Sequence, residues 1–311
     1  MGWIGQLNGT AACGQSANAF NGGWCTTGTP AATAASSTTD GRMTTPRGVA
    51  VDSTYLYVTD SGNSRVYRFT LSTGALAGWT GRTLSVTSPA ISVCTGAVAG
   101  SVTPSWCSGG TSQVGTTAGD GTMNGPYGIS VDASGDILVA DTGTNRVNWY
   151  NASGVFQGWL GRILTTGGTC TASVGSFTGG FCKGGTSQVS TGASSFDGLL
   201  NAPRGVAFDS TGAYIYIADT GGNRVQKYQF SSGLYGSFVG WQGSISVSPT
   251  GGDSGCSGAL AGTATAGWCT GGNSTSGNGN GMFNTPAGLS LDSSHLFIGD
   301  TGNFRIVRIT P

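Results

Sequence analysis

Thirteen aspartates, thirteen basic residues, one histidine and eight cysteines are all that this 311-residue chain offers for ionic, metal or nucleophilic chemistry; it has no glutamate. Eight of the aspartates fall in two columns at fixed offsets: Asp52, Asp132, Asp209 and Asp292, then Asp60, Asp141, Asp219 and Asp300. Three more (Asp40, Asp120 and Asp197) precede a glycine ahead of a Pro-x-Gly segment, and Asn280 holds that place in the fourth copy. Asp136 and Asp253 alone lie outside the pattern, and a pocket lined by either would be the mark of an enzyme. Five residues after each second-column aspartate stands an arginine: Arg65, Arg146, Arg224 and Arg305. General acid–base catalysis needs two groups whose surroundings push their pKa values apart. Four copies of one residue at one turn suit ion pairing and turn hydrogen bonds instead. A nucleophilic serine would need a base, and nothing brings one to His295, the single histidine. Oxygen ligands in the Asp52 or Asp60 column would suit a hard cation such as calcium. The balance predicts scaffold columns, with no catalytic residue, no metal and no cofactor.

The cysteines form four close pairs: Cys13/Cys25, Cys94/Cys107, Cys170/Cys182 and Cys256/Cys269. Each second cysteine follows an aromatic residue (Trp24, Trp106, Phe181 or Trp268). Eight cysteines allow 105 connectivities, and the fourfold repetition favours four local bridges. Each would close a loop of about a dozen residues, contributing roughly 3 kcal/mol in the chain-entropy model. Zinc, the rival, wants two-to-four-residue spacing or histidine partners, and neither is present. Disulfides imply an oxidising compartment, so the chain is expected outside the cell or on its surface.

Behind these residues lies an internal repeat. Pro46-Arg47-Gly48-Val49-Ala50-Val51-Asp52 returns as Pro126-Tyr127-Gly128-Ile129-Ser130-Val131-Asp132, Pro203-Arg204-Gly205-Val206-Ala207-Phe208-Asp209 and Pro286-Ala287-Gly288-Leu289-Ser290-Leu291-Asp292. After a short turn comes an apolar run such as Ile137-Leu138-Val139-Ala140, then Asp-Ser/Thr-Gly, then the arginine and alternating apolar residues. A Gly-Trp element follows, around Trp3, Trp79, Trp159 and Trp241. Short β-branched and aromatic runs between Gly- and Asp-rich turns are strands. Four antiparallel strands per repeat is the pattern of a propeller blade. The tryptophans suit packing between blades, with a sugar-stacking platform as the alternative.

These motifs resemble the NHL-repeat β-propellers, whose signature joins a Pro-x-Gly-Ile/Val-x-Val-Asp strand to an aliphatic strand and Asp-Thr-Gly-Asn-x-Arg-Val; Ala218-Asp219-Thr220-Gly221-Gly222-Asn223-Arg224-Val225 matches closely. The likeness covers about a third of each unit, and the period of about 80 residues is twice the usual one. The resemblance implies an all-β propeller of four blades; if each Cys-bearing insertion formed a blade of its own, the number would be eight. Some enzymes with NHL-like propellers bind zinc through histidines, a set that His295 alone cannot supply. The expected units are 3–78, 79–158, 159–240 and 241–311 within one domain, with Gly2–Gly5 as the closing outer strand of this molecule or of a neighbour. Blade topology puts the Cys loops and the Asp-Ser/Thr-Gly turns on one face.

Net charge is zero and only 8% of residues are charged. Without clustered Lys and Arg, nucleic acid is excluded as a partner, and no apolar run of ~20 residues is present to span a membrane. The opening Met1-Gly2-Trp3-Ile4-Gly5 has no signal-peptide pattern, so a leader has been removed or the numbering starts inside a longer product. Sequons for N-glycosylation occur at Asn8, Asn151 and Asn273. Low charge reduces repulsion between copies. The expected role is an extracellular structural protein that associates with copies of itself into a surface fibre or layer; the alternative is a module that binds a glycan or a surface protein.

Overall fold

The structure is a computed structural model and describes residues 1–8, 12–16, 19–31, 40–86, 96–113, 119–188, 196–231 and 235–311. The chain is all-β, built of antiparallel sheets of the propeller-blade type. In the first, Pro46–Val51, Tyr55–Asp60, Arg65–Thr70 and Leu76–Gly81 pair in chain order. Pro126–Val131, Ile137–Asp141, Arg146–Tyr150 and Phe156–Gly161 do the same. Gly205–Phe208, Tyr214–Asp219, Arg224–Gln229 and Ser237–Val247 head a third sheet, extended by Cys269–Thr270 and Gly251–Gly252. Pro286–Leu291, Leu296–Asp300 and Arg305–Ile309 form a sheet of three strands among the described residues.

Two compact units are present. The first comprises Met1–Thr117, Gly121–Ile137 and Tyr150–Phe156; the second comprises Ala118–Asp120, Leu138–Trp149 and Gln157–Pro311. The first unit packs Val58, Tyr67, Phe69 and Trp79 into a core, with Ile4 and Phe20 against it. The second holds two cores. One gathers Leu138, Val147, Leu160, Val206, Ile215, Ile217 and Tyr228; the other gathers Tyr216, Val225, Phe283, Leu296 and Ile298. Within one strand successive residues serve opposite faces, so Ile215 and Ile217 join one core and Tyr216 between them joins the other.

In the first and third repeats the glycine of the Pro-x-Gly signature has a steric cause, whereas Gly288 in the fourth has open space around it. A Cβ on Gly205 would run into the carbonyl oxygen of Ala287, and one on Gly48 into that of Tyr127. At these two positions the first strands of neighbouring repeats approach too closely for a side chain, so glycine is required there.

The Cys insertions lie beside the fourth strands. Trp3, Trp79, Trp159 and Trp241 each form a bridge with the second cysteine of the insertion that follows: Cys25, Cys107, Cys182 and Cys269. Cys13–Cys25, Cys170–Cys182 and Cys256–Cys269 are disulfides with Cα separations of 5.9, 5.0 and 5.4 Å. Cys107 is also disulfide-bonded, and Cys94 lies outside the described residues. The insertions carry short ladders of their own, such as Ile163–Thr165 with Thr186–Ser187. Among the described residues, no helix is long and apolar enough to cross a membrane.

Candidate functional site

The Asp–Arg columns form the same latch four times. Each second strand ends on the aspartate, and one turn of 3-10 helix follows (Ser61–Asn63, Thr142–Thr144, Thr220–Gly222, Thr301–Asn303). The residue after that turn takes a left-handed conformation, φ 53–54°, and the arginine opens the third strand opposite its aspartate. Arginine Nε lies 3.0, 3.4, 2.9 and 2.8 Å from Asp60, Asp141, Asp219 and Asp300. Three of the pairs are wholly buried, and Arg305 in the fourth is partly exposed.

The remaining hydrogen-bonding capacity is also used. Oδ1 of Asp60, Asp219 and Asp300 accepts the N–H of Thr44, Asn201 and Asn284 at 2.6–2.7 Å. Oδ2 accepts from Asn63, from Thr144 in the second repeat, from Gln226 and from Asn303. The guanidinium groups donate onward to carbonyls of the segment that leads into the first strand: Arg42, Gly119, Leu199 and Met282. Burial pushes the Asp60 and Asp219 carboxyls above the usual range, outweighing the neighbouring Arg65 and Arg224. Groups so engaged hold the turn and the strand entry in place.

The first-column aspartates close turns. Asp52 accepts the N–H of Thr54 and Tyr55 and the Tyr57 hydroxyl; Asp132 accepts from Ser134 and Asp136. Asp209 accepts from Thr211 and Tyr214, and Asp292 from Ser294 and His295. Burial alone would raise the Asp52 pKa, but the two N–H groups, Tyr57 and Arg68 together bring it below the usual range. The Ser294 and His295 N–H groups lower that of Asp292. Asp136 accepts the Ala152 N–H and Asp253 the Trp268 N–H, so both also serve loops. His295 stands 3.5 Å from the Asp292 carboxylate on the surface.

Asp40, Asp120 and Asp197 do more than shape turns. Each accepts the backbone N–H two residues after the second cysteine of the next insertion, on Gly109, Gly184 and Gly271, at 2.6–3.0 Å. The carbonyls of the same three glycines accept the Nε1 proton of Trp79, Trp159 and Trp241. These three tryptophans are fully buried, which makes them packing elements, out of reach of a sugar. Trp106 and Trp268 stack with cations instead: Arg68 lies 4.6 Å from the Trp106 ring and Lys227 5.5 Å from that of Trp268.

Sequence reasoning missed the joints between repeats. Asn145 and Asn223, the left-handed residues of their turns, accept the N–H of Ala202 and Thr285, just before the next Pro-x-Gly strand. Thr142 and Thr220 donate to the carbonyls of Pro203 and Pro286. The signal was the Asn inside the Asp-Thr-Gly-x-Asn-Arg motif, which is more than a turn-former. Of the sequon asparagines, Asn8 is exposed, Asn151 caps its own turn through the N–H of Ser153 and Val155, and Asn273 is half-buried. Among the described residues, no three His, Cys, Asp or Glu side chains converge as a metal site.

Residues 123–150 match the NHL repeat family model. No curated protein matches the chain. Among solved structures, it is similar to a structural genomics protein of unknown function from Bacteroides thetaiotaomicron (16% identity, 85% of this chain and 47% of that one, TM-score 0.45). It is also similar to an auxiliary nutrient binding protein from Bacteroides ovatus (13%, 87% and 49%, TM-score 0.44). A catalytically inactive virginiamycin B lyase from Staphylococcus aureus aligns too (11%, 85% and 52%, TM-score 0.39). The chain spans about half the length of these three structures.

Proposed function

We propose that the chain is an extracellular, disulfide-tied propeller module with a structural role, which self-associates into a fibre or layer. One contrast carries the reading: apolar strand residues that are buried in the third repeat have exposed counterparts in the first and the fourth. Val49 is 68% and Val51 56% exposed, whereas their counterparts Val206 and Phe208 are 4% and 8% exposed. In the fourth repeat Phe304, just before the third strand, is 97% exposed and Ile306, on that strand, 72%, whereas Val225 is fully buried at the position of Ile306. Phe304 also takes the place at which Asn145 and Asn223 join one repeat to the next. Apolar surface set out in this way favours association, and a net charge of zero leaves little repulsion to oppose it.

In this reading the units 3–78, 79–158, 159–240 and 241–311 are the building blocks. The Gly2–Gly5 segment of one copy then adds to the Arg305–Ile309 edge of another by strand addition. The Asp–Arg columns are engaged within the chain, and in this reading the role is non-catalytic. Negative-stain electron microscopy of disulfide-intact protein tests the proposal. Head-to-tail particles that lengthen with concentration are expected, and single rings at every concentration would overturn it.

A further inference from the structure

We propose that the groove bordered by Phe196, Asp197 and Asn273 is a binding site for a neutral carbohydrate chain. The groove, of about 620 Å³, lies within the second unit and opens to solvent. Phe177, Phe196, Val247, Asp197, Asn273 and Gly272 are among the residues that line it. Phe196 is 68% exposed, so its ring offers a face to a ligand rather than filling the core. Its backbone is nonetheless fixed, because Arg224 Nη2 donates to the Phe196 carbonyl at 2.9 Å.

Asp197 is held in the same way. Both of its oxygens accept the Gly271 N–H, at 3.0 and 2.8 Å, and each keeps lone-pair capacity for a hydroxyl. Asn273 lines the same groove, and its side-chain amide brings two donors and an acceptor to it. A pyranose presents an apolar C–H face and a rim of hydroxyls, which these rings, carboxylate and amide complement. Among the described residues that line the groove none is a cation, which disfavours anionic ligands. The bordering strand Ser237–Val247 is already paired with Asn273–Thr275, so that ladder is closed to an extended peptide.

The other repeats lack this arrangement. Phe177 corresponds to Phe20, Val102 and Ala264, each next to the Gly of an Asp/Asn-Gly step. Phe196 corresponds to Thr39, Gly119 and Gly279, so only the third repeat has aromatic residues at both positions. This site does not rest on self-association, and either proposal can fail alone.

The test uses disulfide-intact protein whose Asn273 carries no glycan by mass spectrometry. It is screened on immobilised neutral β-glucan, α-glucan, mannan and chitin oligosaccharides, and the best probe is titrated by calorimetry. Phe196→Ala should weaken binding by ~10-fold or more, Phe196→Trp should retain it, and Asp197→Asn should weaken it, each with a wild-type far-ultraviolet spectrum. Lack of binding to any neutral probe, equal binding by Phe196→Ala, or binding only to peptides or anionic glycans would overturn the proposal.

Discussion

A carboxylate removed from water must be compensated on both oxygens, and Asp219 is: Asn201, Gln226 and Arg224 all donate to it. Asp219→Ala would leave Arg224 buried and unpaired, at a cost of about 3–5 kcal/mol. Asp292→Ala, at a half-exposed turn, should cost clearly less. Urea unfolding of the two variants checks the contrast, and equal losses would contradict the latch. Titration separates the columns as well. Asp60 and Asp219, raised when folded, bind more protons in the native state between their unfolded and folded pKa values. Their effect is that stability rises as pH falls through the folded value towards about 4. Asp52 and Asp292, lowered when folded, contribute stability that is lost only as pH falls below about 4. Thermal melts should therefore show no loss of stability from neutral pH down to about 4 and a fall below it; a steep loss near pH 5 would contradict these directions. Phe304 holds a left-handed φ of 54° that Asn tolerates better. Phe304→Asn should raise the Tm of dilute protein by ~1–3 °C while weakening association.

Among the elements, the second-to-third strand hairpin was the most legible, because its i, i+5 Asp and Arg meet as a facing pair across it. The Cys insertions were legible as loops tied by local bridges, since both partners lie within one insertion. Their pairing beside the Trp strands was not, because a single-residue bridge leaves no periodic pattern. Contacts from one repeat to the next were equally hidden: Asn223 and Thr285, or Asp197 and Gly271, meet only after folding. The groove shares that cause, as Phe196 and Val247 come from distant segments with ordinary local sequence. The paired substitution Cys170→Ser, Cys182→Ser should cost about 2–5 kcal/mol, read from denaturant midpoints, if the bridge restrains its loop. A loss under about 1 kcal/mol would show that the Gly184 contacts to Asp120 and Trp159 hold the insertion by themselves.

For the whole molecule, the proposed self-association rests on zero net charge and on the apolar residues exposed in the first and the fourth repeats. The central claim is tested most directly by sedimentation velocity on wild-type, Val49→Asp and Ile306→Asp proteins, alone and mixed. Wild type should form species that grow with concentration, and each variant alone should remain monomeric. An equimolar mixture of the two variants should stop at dimers, because each retains the edge the other has lost. Monomeric wild type throughout, or variants that assemble like wild type, would contradict the account.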